Sequence, residues 1–347
     1  MKEYNALYLE LTTECMLACP YCYHGERRNS NKFFPFERFC SLLDELPNKL
    51  TIDLSGGEPC LHPAIRSIIH LAAEKGHRVR LVTNGYLLPL FSINDLSLLE
   101  TISISLDGTG PKDHDAIRGL GSFKRIEDGL VILKKAGLTS HVSFNITITR
   151  NNKNQLDKFI EYAILKEVGS VNFECVHRIP DMKNTFIDHN ALSIEEELSL
   201  YERTLKLEEE YKEVLHIIPT RNLLGECPLV KPSSLLGLRI DADMNVFPCE
   251  GFCGLSFSLG NIAKQSIEEV LISPQSNRVF EFLSNRIDRI SECSNCVIKR
   301  SFCTGGCAAD AYYVKRDSLC SDGACNARRL QVFQRLLNLE KHREHIS

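Results

Sequence analysis

The sequence contains no tryptophan and only four methionines among its 347 residues, and these shortages alone exclude no class of function. It also lacks an apolar run long enough to span a bilayer, and its first residues, MKEYNALYLELTTEC, show neither the apolar core nor the cleavage site of a secretory signal. The formal net charge of −4 provides no basic excess for binding nucleic acid. We therefore expect a cytoplasmic protein whose partners include no membrane and no nucleic acid.

Cysteine, by contrast, is abundant, with 15 residues, and a reducing compartment keeps cysteines from forming disulfides. Clustered cysteines then indicate metal or iron–sulfur ligation, whereas the isolated Cys40, Cys60 and Cys175 are expected to be buried thiols. The length suits two domains, and a hydrophobic content of 43% suffices for their cores.

The first cluster consists of Cys15, Cys19 and Cys22 in the spacing C-x3-C-x2-C, with the aromatic Tyr21 before the last cysteine. Three thiolates can hold three irons of a four-iron cluster and leave the fourth iron open, so that a small ligand can chelate it and receive an electron. A zinc site is the alternative, because His24 follows two residues later and zinc accepts three thiolates plus one imidazole.

A predicted strand over residues 50–54 leads into Ser55-Gly56-Gly57-Glu58-Pro59. Paired glycines let the backbone approach a ligand closely, and the Glu58 carboxylate can accept a hydrogen bond from an ammonium group. Without its context the glycine pair would indicate only a turn.

Polar and apolar side chains alternate along two further predicted strands, residues 101–108 and 141–149. Ser105 and Asp107 share the polar face of the first strand, and Asn145 lies on the polar face of the second. Because the strands of a packed parallel barrel are usually apolar on both faces, these polar rows predict a lumen that holds a ligand. An edge strand with a solvated face is the alternative.

Strands and helices alternate about six times over the first half of the chain, which predicts a parallel sheet with right-handed crossovers and with ligands at the carboxyl ends of its strands. The fold class is therefore α/β, a partial (β/α)6 parallel barrel with a small cysteine-rich C-terminal auxiliary-cluster domain. The predicted helices span residues 35–46, 63–75, 123–135 and 154–167, and the remaining predicted strands include 81–85 and 170–176.

The cysteine triplet, the Gly-Gly-Glu segment and the polar strand ends together resemble the motifs of the radical SAM enzymes. In that family the open iron binds S-adenosylmethionine, and its reductive cleavage yields a 5′-deoxyadenosyl radical that abstracts hydrogen from a substrate. The resemblance implies Cys15, Cys19 and Cys22 as ligands of a 4Fe-4S cluster, and it places Ser105 and Asp107 near the ribose. The cofactor contacts that it implies are Tyr21, Gly56, Gly57, Glu58, Pro59, Asn84, Ser105, Asp107 and Asn145.

Nine further cysteines follow residue 226, and four of them form the pattern C-x2-C-x6-C-x3-C over residues 293–307. Together with the segments 240–249 and 259–262, they resemble the SPASM extension that some radical SAM enzymes carry. The resemblance implies two auxiliary 4Fe-4S clusters. Their implied ligands are Cys227, Cys249 and Cys307 for the first, and Cys293, Cys296, Cys303 and Cys325 for the second.

Three departures from the family pattern leave one ligand of the first auxiliary cluster open. Met244 replaces the glycine of the family's hairpin, the gap between the second and third cysteines of the 293–307 pattern is one residue longer, and no cysteine closely precedes Cys227. Either Cys253 or Cys320 then supplies the fourth ligand, or the iron stays open and binds substrate. One or two zinc ribbons are the alternative for the whole block.

The predicted domains are a radical SAM core over residues 1–225, which includes an acidic helical spacer over 178–225, and an SPASM-like domain over 226–347. We expect the acidic helix, 193–214, to present a solvated face, with attraction of a basic leader peptide as the alternative. The final helix, from about residue 326, is expected to be amphipathic and to pack on the second auxiliary cluster.

In that final helix, Arg328 and Arg329 are set against Leu330, Phe333 and Leu336. An amphipathic helix buries its apolar stripe and exposes its charged one. Arg335, Lys341 and Leu337 belong to the same pattern, which is that of an amphipathic helix.

The resemblance also implies the class of reaction, in which hydrogen is abstracted from a peptide or protein side chain and the auxiliary clusters assist oxidative product formation. An external electron donor of the flavodoxin or ferredoxin type is implied as a partner. Glu250 follows Cys249 where sulfatase-maturing relatives place an aspartate near the substrate, so Glu250 is the candidate proton acceptor. An exposed carboxylate without a role is the alternative.

Two other functions compete with peptide modification. The chain starts directly on its first predicted strand, which leaves no room for an amino-terminal peptide-binding domain and favours a small-molecule substrate such as an amino sugar or a cofactor precursor. A non-catalytic zinc-binding adaptor is the alternative from another class of protein.

Overall fold

The structure is a computed structural model, and it describes residues 3–47, 49–176, 185–224, 227, 229–230, 236–252, 257–315 and 317–344. Strands alternate with helices through its first half, as the sequence predicts, so the α/β class is confirmed. In the described residues, ten strands belong to one sheet: β1 Tyr4–Thr12, β2 Thr51–Gly56, β3 Arg78–Thr83, β4 Leu99–Ser105, β5 Val142–Ile148, β6 Ser170–Cys175, β7 His216–Ile218, β8 Leu236–Ile240, β9 Asn245–Phe247 and β10 Gly260–Asn261.

The strand order is β10-β9-β8-β1-β2-β3-β4-β5-β6-β7, and every neighbouring pair from β8 to β7 is parallel. Strands β7 and β10 form the two edges, and in the described residues they do not pair with each other. The sheet is therefore open, as expected for a partial barrel rather than a closed one.

Helices provide the crossovers between the parallel strands. Four of them, α1, α2, α5 and α6 in the numbering that follows, match the four helices predicted between the barrel strands to within a few residues at each end. The α-helices are α1 Phe36–Glu45, α2 Ile65–Glu74, α3 Ile93–Ser97, α4 Pro111–Arg118, α5 Ser122–Lys135, α6 Leu156–Leu165, α7 Thr185–Asn190, α8 Ile194–Tyr211, α9 Ile267–Ile272, α10 Pro274–Arg289, α11 Ala308–Lys315 and α12 Cys325–Glu344.

The core of the barrel is formed by the strands, and β1 shows how the sequence specifies it. Leu7, Leu9 and Leu11 have no exposed surface, and Glu10 between them is also buried. A strand covered on both faces by other elements is expected at the centre of a parallel sheet. Buried polar side chains such as Glu10 therefore need hydrogen-bond or ion-pair partners within the protein.

After the strands β2 to β7, the chain returns to the side of β1. Strand β8 pairs with β1 in parallel and then forms an antiparallel hairpin with β9, as predicted for residues 240–249. At the turn, Asp241 Oδ1 accepts hydrogen bonds from the amides of Asp243 and Asn245 at 3.0 and 2.9 Å. Met244 has a φ of 67°, in the left-handed region that glycine tolerates and other residues enter at a cost of about 1 kcal/mol or more. Met244 thus stands at a backbone position that suits glycine, the residue that the resemblance implies there.

Burial along the final helix α12 does not follow hydropathy at every position. Arg328 is buried, and its Nη1 and Nη2 atoms donate to the carboxylate of Asp322, at 2.6 Å for Nη1 and 2.5 Å for Nη2. Leu330 and Phe333 are exposed instead. A buried carboxylate partner outweighs the hydropathy pattern here, because leaving Asp322 buried without a counter-charge would cost several kcal/mol.

In the described residues, no helix is both long enough and apolar enough to cross a membrane.

Candidate active site

The three thiols of the first cysteine cluster lie in the loop that follows β1. Cys15, Cys19 and Cys22 line a cavity of about 270 Å³ that opens at the carboxyl ends of the barrel strands, the edge where parallel α/β proteins bind ligands. Six of the predicted cofactor contacts line the same cavity: Tyr21, Gly56, Gly57, Asn84, Ser105 and Asn145. The other three, Glu58, Pro59 and Asp107, lie outside its lining.

The environment of Cys15 and Cys19 favours the protonated form of these two thiols when no metal centre is bound. Burial raises the pKa of Cys15 to about 11 and also raises the pKa of Cys19. The Leu17 amide, which donates to Cys15 Sγ at 3.4 Å, acts in the opposite direction and favours the thiolate. Ligation of iron by these cysteines would therefore release protons.

The glycine pair packs directly against the start of the cysteine loop. A Cβ atom on Gly57 would lie 2.2 Å from the carbonyl oxygen of Glu14, and one on Gly56 would lie 2.3 Å from that of Thr12. Gly56 also has a φ of 133°, which other residues rarely adopt. Two backbone hydrogen bonds of 2.7 Å, from Gly57 to Thr12 and from Glu58 to Glu14, join the two segments. The glycines are therefore required for the position of the cysteine loop as well as for access of a ligand.

Glu58 holds the neighbouring loop rather than facing the cavity. Its side chain is fully buried, its Oε1 accepts from the Cys60 amide at 3.1 Å and from the Thr83 hydroxyl at 2.7 Å, and its Oε2 accepts from the Asn84 amide at 2.8 Å. Burial raises the pKa of Glu58, and these three hydrogen bonds oppose the shift. A direct bond from Glu58 to an ammonium group stays a prediction.

Asn84, which Glu58 positions, reaches the cysteine loop. Its side-chain nitrogen donates to Cys15 Sγ at 3.7 Å and to Met16 Sδ at 3.2 Å, while its Oδ1 accepts from the Tyr86 amide at 2.9 Å. Since hydrogen bonds to a cysteine sulfur tune the metal centre that it ligates, Asn84 is placed to act on such a centre as well as on a cofactor.

Asp107 supports the cavity wall from behind. Its Oδ2 accepts hydrogen bonds from the Tyr21 hydroxyl and from Arg118 Nε, the latter at 2.5 Å, and Arg118 Nη2 donates to the Tyr21 oxygen at 2.8 Å. Arg118 and Tyr21 both line the cavity, so the ion pair of Arg118 with Asp107 fixes this part of its wall. Arg118 could not be identified from the sequence, since it stands at the end of α4 in no recognisable motif.

The polar strand faces point into the cavity as predicted. Ser105, Asn145 and Thr147 are among its lining residues. Asn172 on β6 donates to Asn145 Oδ1 at 2.9 Å and to Glu174 Oε1 at 3.1 Å, so a chain of hydrogen bonds crosses from β5 to the rim at Glu174. The alternative of an edge strand with a solvated face is wrong for β4 and β5, which have neighbours on both sides.

Glu250 also lines the cavity, and it is an exposed residue. Desolvation by neighbouring groups, together with the charges of Glu174 and Asp53, raises its pKa to about 7. Arg239 fixes the segment, because its Nη1 donates to the Glu250 carbonyl at 3.3 Å and its Nη2 donates to Glu10 at 2.6 Å.

A second and larger cavity, of about 530 Å³, adjoins the first. The two cavities share Glu174, Cys175 and Val176 at the end of β6. The larger one extends past α8 to Asp310 and Asp322, and the Asp322 carboxylate accepts a 3.0 Å hydrogen bond from the Cys307 amide. The two cavities thus share part of their lining, and the larger one reaches Asp322, which contacts a C-terminal cysteine.

The C-terminal cysteines form two groups in space. The charges of Cys227 and Cys307 both act on Cys249 and raise its pKa, after burial, to about 12. In the second group, Cys325, Cys303 and Cys296 act in the same way on Cys293. These are the two sets that the family resemblance implied as ligands, and their ligand role stays a prediction.

Cys320 and Cys253 are the two candidates for the fourth ligand of the first auxiliary cluster. Cys320 Sγ lies 3.4 Å from Asp317 Oδ2, to which it donates, and the nearby charges that act on it come from Asp317, Lys315 and Glu292 rather than from another cysteine. Cys253 lies outside the described residues.

The donor chemistry at the first site fits an iron–sulfur cluster with a bound ligand. Three thiols and a pair of glycines line one cavity, and Asp107 Oδ1, behind the cavity wall, is buried without a hydrogen-bond partner among the described residues. His24, the fourth ligand of the zinc alternative, is buried, and burial lowers its pKa to about 3. Within the described part of the chain, no three His, Cys, Asp or Glu side chains converge closely enough to hold a single metal ion.

Two family models match this chain. The family model of the radical SAM superfamily matches residues 9–163, and that of the SPASM iron–sulfur cluster-binding domain matches residues 235–297.

Three similar proteins illustrate the range of relatives. The AdoMet-dependent heme synthase of Methanosarcina barkeri (strain Fusaro / DSM 804) is 27% identical over 91% of this chain and 94% of its own length. The antilisterial bacteriocin subtilosin biosynthesis protein AlbA of Bacillus subtilis (strain 168) is 26% identical over 86% of this chain, which spans 66% of AlbA. The solved structure of anSMEcpe with bound AdoMet and Cp18Cys peptide superimposes with a TM-score of 0.72 at 20% identity, covering 98% of this chain and 99% of that one. At that identity the superposition shows a shared fold.

Proposed function

We propose that this chain, which belongs to the radical SAM superfamily and carries an SPASM domain, abstracts a hydrogen atom from a side chain of a peptide or protein and oxidises the resulting substrate radical. The observation that carries the proposal is the pair of neighbouring cavities: the first is lined by Cys15, Cys19 and Cys22, and the second reaches Asp322, which binds the Cys307 amide. A substrate bound across both would contact the cofactor at one end and lie near the proposed electron acceptor at the other.

Cys15, Cys19 and Cys22 would hold the cluster of the active site, with S-adenosylmethionine on its open iron. When bound, this pair supplies a one-electron reductive cleavage that yields a hydrogen-abstracting adenosyl radical. The protein orients the cofactor through the Gly56–Gly57 backbone.

Further contacts restrict the position of the cofactor. The Asn84 side chain donates a hydrogen bond to Cys15 Sγ. Ser105 and Asn145, in the cavity lining, have a hydroxyl and an amide group that can bind the cofactor. Arg118, held by Asp107 and Tyr21, keeps a positive charge at the wall where a carboxylate can be bound.

The larger cavity is the proposed binding site of the substrate. Its position lets a substrate side chain pass Glu174 and Cys175 into the first cavity while the rest of the substrate stays against α8. Glu250, on the wall of the first cavity, is placed to accept the proton that the substrate radical loses on oxidation.

The C-terminal cysteines would receive the electron from that oxidation. We propose Cys227, Cys249 and Cys307 for the first auxiliary cluster, completed by Cys253 or Cys320, and the set of Cys293, Cys296, Cys303 and Cys325 for the second. Residues 1–225 would then form the radical SAM core and residues 226–347 the auxiliary-cluster domain. An external flavodoxin or ferredoxin would supply the first electron.

The proposal is tested with anaerobically purified protein that is reduced and supplied with S-adenosylmethionine. We expect brown protein with about twelve irons and twelve sulfides per chain for three four-iron clusters, and formation of 5′-deoxyadenosine. A cysteine-containing peptide is the first substrate to test, with mass spectrometry to detect loss of hydrogen or a new bond. Stoichiometric zinc in place of iron would support the adaptor alternative and refute the enzyme.

A second candidate function is modification of a cofactor precursor, and the full-length similarity to the heme synthase favours it. That relative matches nearly all of both chains, whereas AlbA extends beyond this one. The same assay separates the candidates, because the true substrate should stimulate 5′-deoxyadenosine formation above the rate without substrate. Stimulation by a tetrapyrrole precursor of heme, with none by peptides, would replace peptide modification by this second function.

A further inference from the structure

The C-terminal domain contains a buried arginine that no sequence motif identifies. Arg286, on α10, is only 2% exposed. Its guanidinium donates to four backbone carbonyl oxygens: those of Gly305 at 2.7 Å, Gly306 at 3.1 Å and Cys320 at 2.6 Å, and that of Ser318. The side chain thus joins the loop between Cys303 and Cys307 to the segment before α12.

The charge of Arg286 lacks an ion-pair partner among the described residues. The nearest acidic group that acts on it is Asp322, and that carboxylate is already paired with Arg328 and hydrogen-bonded to the Cys307 amide. Carbonyl groups satisfy the donors of a guanidinium but do not neutralise its charge. Because arginine does not lose its proton in proteins, the structure must offset a buried positive charge in another way.

Thiolate ligands provide that negative charge. The cysteines whose charges act on Arg286 are Cys307, Cys293 and Cys227, so the guanidinium lies between the two C-terminal groups of cysteines. The loop between Cys303 and Cys307, which Arg286 holds by hydrogen bonds to Gly305 and Gly306, needs glycine at both positions. φ at Gly305 is 94°, and a Cβ atom on Gly306 would lie 2.5 Å from Asp322 Oδ2.

We propose that Arg286 is the fixed cation that offsets the negative charge of the auxiliary iron–sulfur centres and raises their reduction potentials. The centres then accept the electron that the substrate radical loses when it is oxidised. The inference rests on the auxiliary ligands proposed above. Net charge and hydrogen bonding around a cluster are two of the determinants of its potential. Arg286 affects both, because it also fixes the backbone that carries the ligands.

The test compares three variants of the full-length, anaerobically reconstituted protein. Arg286→Gln removes the charge, Arg286→Lys keeps it without the guanidinium fork, and Arg289→Gln removes a charge from the exposed face of the same helix. The midpoint potentials are measured by redox titration followed by EPR, and the cluster at Cys15, Cys19 and Cys22 is the internal reference.

We expect Arg286→Gln to make reduction of an auxiliary centre at least tenfold less favourable, which is a shift of about 59 mV for one electron. Arg286→Lys should shift less, and Arg289→Gln and the reference cluster should not shift. Unchanged auxiliary potentials in fully loaded Arg286→Gln, or equal shifts for Gln and Lys, would overturn the proposal.

If Arg286→Gln does not retain auxiliary iron, the iron content decides the question. The proposal then requires Arg286→Lys to load more auxiliary iron than Arg286→Gln, and equal loss in both variants would show that the charge is not what matters. Wild-type protein with about four irons and no second EPR signal would instead contradict the proposed auxiliary ligands themselves, and with them this inference.

Discussion

Replacement of Gly57 by alanine should displace the cysteine loop and abolish most of the cofactor chemistry. The new Cβ atom would lie 2.2 Å from the carbonyl oxygen of Glu14 and 2.6 Å from its carbonyl carbon, and such contacts are not seen below 3.0 Å. Because the obstructing atoms belong to the backbone, no side-chain rotation relieves the clash. Glu14 directly precedes Cys15, so the loop that carries the first thiol must move.

The required movement is at least about 0.8 Å at Glu14, from the difference between 2.2 and 3.0 Å, and overpacking of this kind costs about 1–3 kcal/mol of unfolding free energy. The effect on catalysis should be larger than the effect on stability. A misplacement of about 1 Å in an active site can reduce a rate by about 100-fold. We therefore expect Gly57→Ala to form 5′-deoxyadenosine about 100-fold more slowly than the wild type.

The assay is the anaerobic, dithionite-reduced formation of 5′-deoxyadenosine, measured together with iron content and urea unfolding. Gly110→Ala is the matched control, because a Cβ atom there meets no atom within 4 Å and the φ of −161° suits any residue. The reasoning is refuted if Gly57→Ala retains the wild-type rate and iron content, or if Gly110→Ala loses as much activity.

Three other substitutions give distinct results. Arg118→Met leaves Asp107 buried without its counter-charge and should lower the unfolding free energy, measured by urea titration, by about 3–5 kcal/mol. Adding Asp107→Asn to this variant should recover part of the loss. Absence of any recovery would argue against the ion pair. Burial lowers the pKa of His114 to about 4, so the folded protein binds fewer protons than the unfolded chain and loses stability as the pH falls below the ordinary value of 6.5. His114→Gln should therefore lose about 1.4 kcal/mol less between pH 7.5 and 5.5 than the wild type, and an identical pH dependence would contradict this. Glu250→Gln should still form 5′-deoxyadenosine but lower the yield of oxidised product by about 100-fold, whereas equal product per 5′-deoxyadenosine would exclude Glu250 as the proton acceptor.

The parts of the site that are local in sequence could be predicted from the sequence. The cysteine triplet and the glycine pair each form one short segment, and strand alternation assigns Ser105 and Asn145 to the cavity face because side chains alternate with a period of two. Asn84 follows from its place at the end of a parallel strand. These predictions need only the local backbone and the position of the strand ends.

The parts that depend on contacts between distant segments could not be predicted. Arg118 joins Tyr21 across 97 residues, and Arg239 joins Glu10 across 229. Glu58 has the residue type expected for an ammonium contact, but three nearby donors bind its carboxylate, and their geometry is set by the fold.

The burial of Arg328 on α12 also depends on a distant contact. Hydropathy assigns an arginine to the surface, whereas the Asp322 carboxylate draws Arg328 into the interior and leaves Leu330 exposed. A sequence pattern records the apolar face of a helix but not the position of a buried partner elsewhere in the chain.

The most direct test of the central claim is EPR spectroscopy of the anaerobically reduced protein before and after S-adenosylmethionine is added. A four-iron cluster held by only Cys15, Cys19 and Cys22 should give a signal whose shape changes on addition, and the variant in which these three cysteines are replaced by alanine should lose that response. A wild-type spectrum that does not respond to S-adenosylmethionine, or a response that survives loss of the three cysteines, would contradict the account.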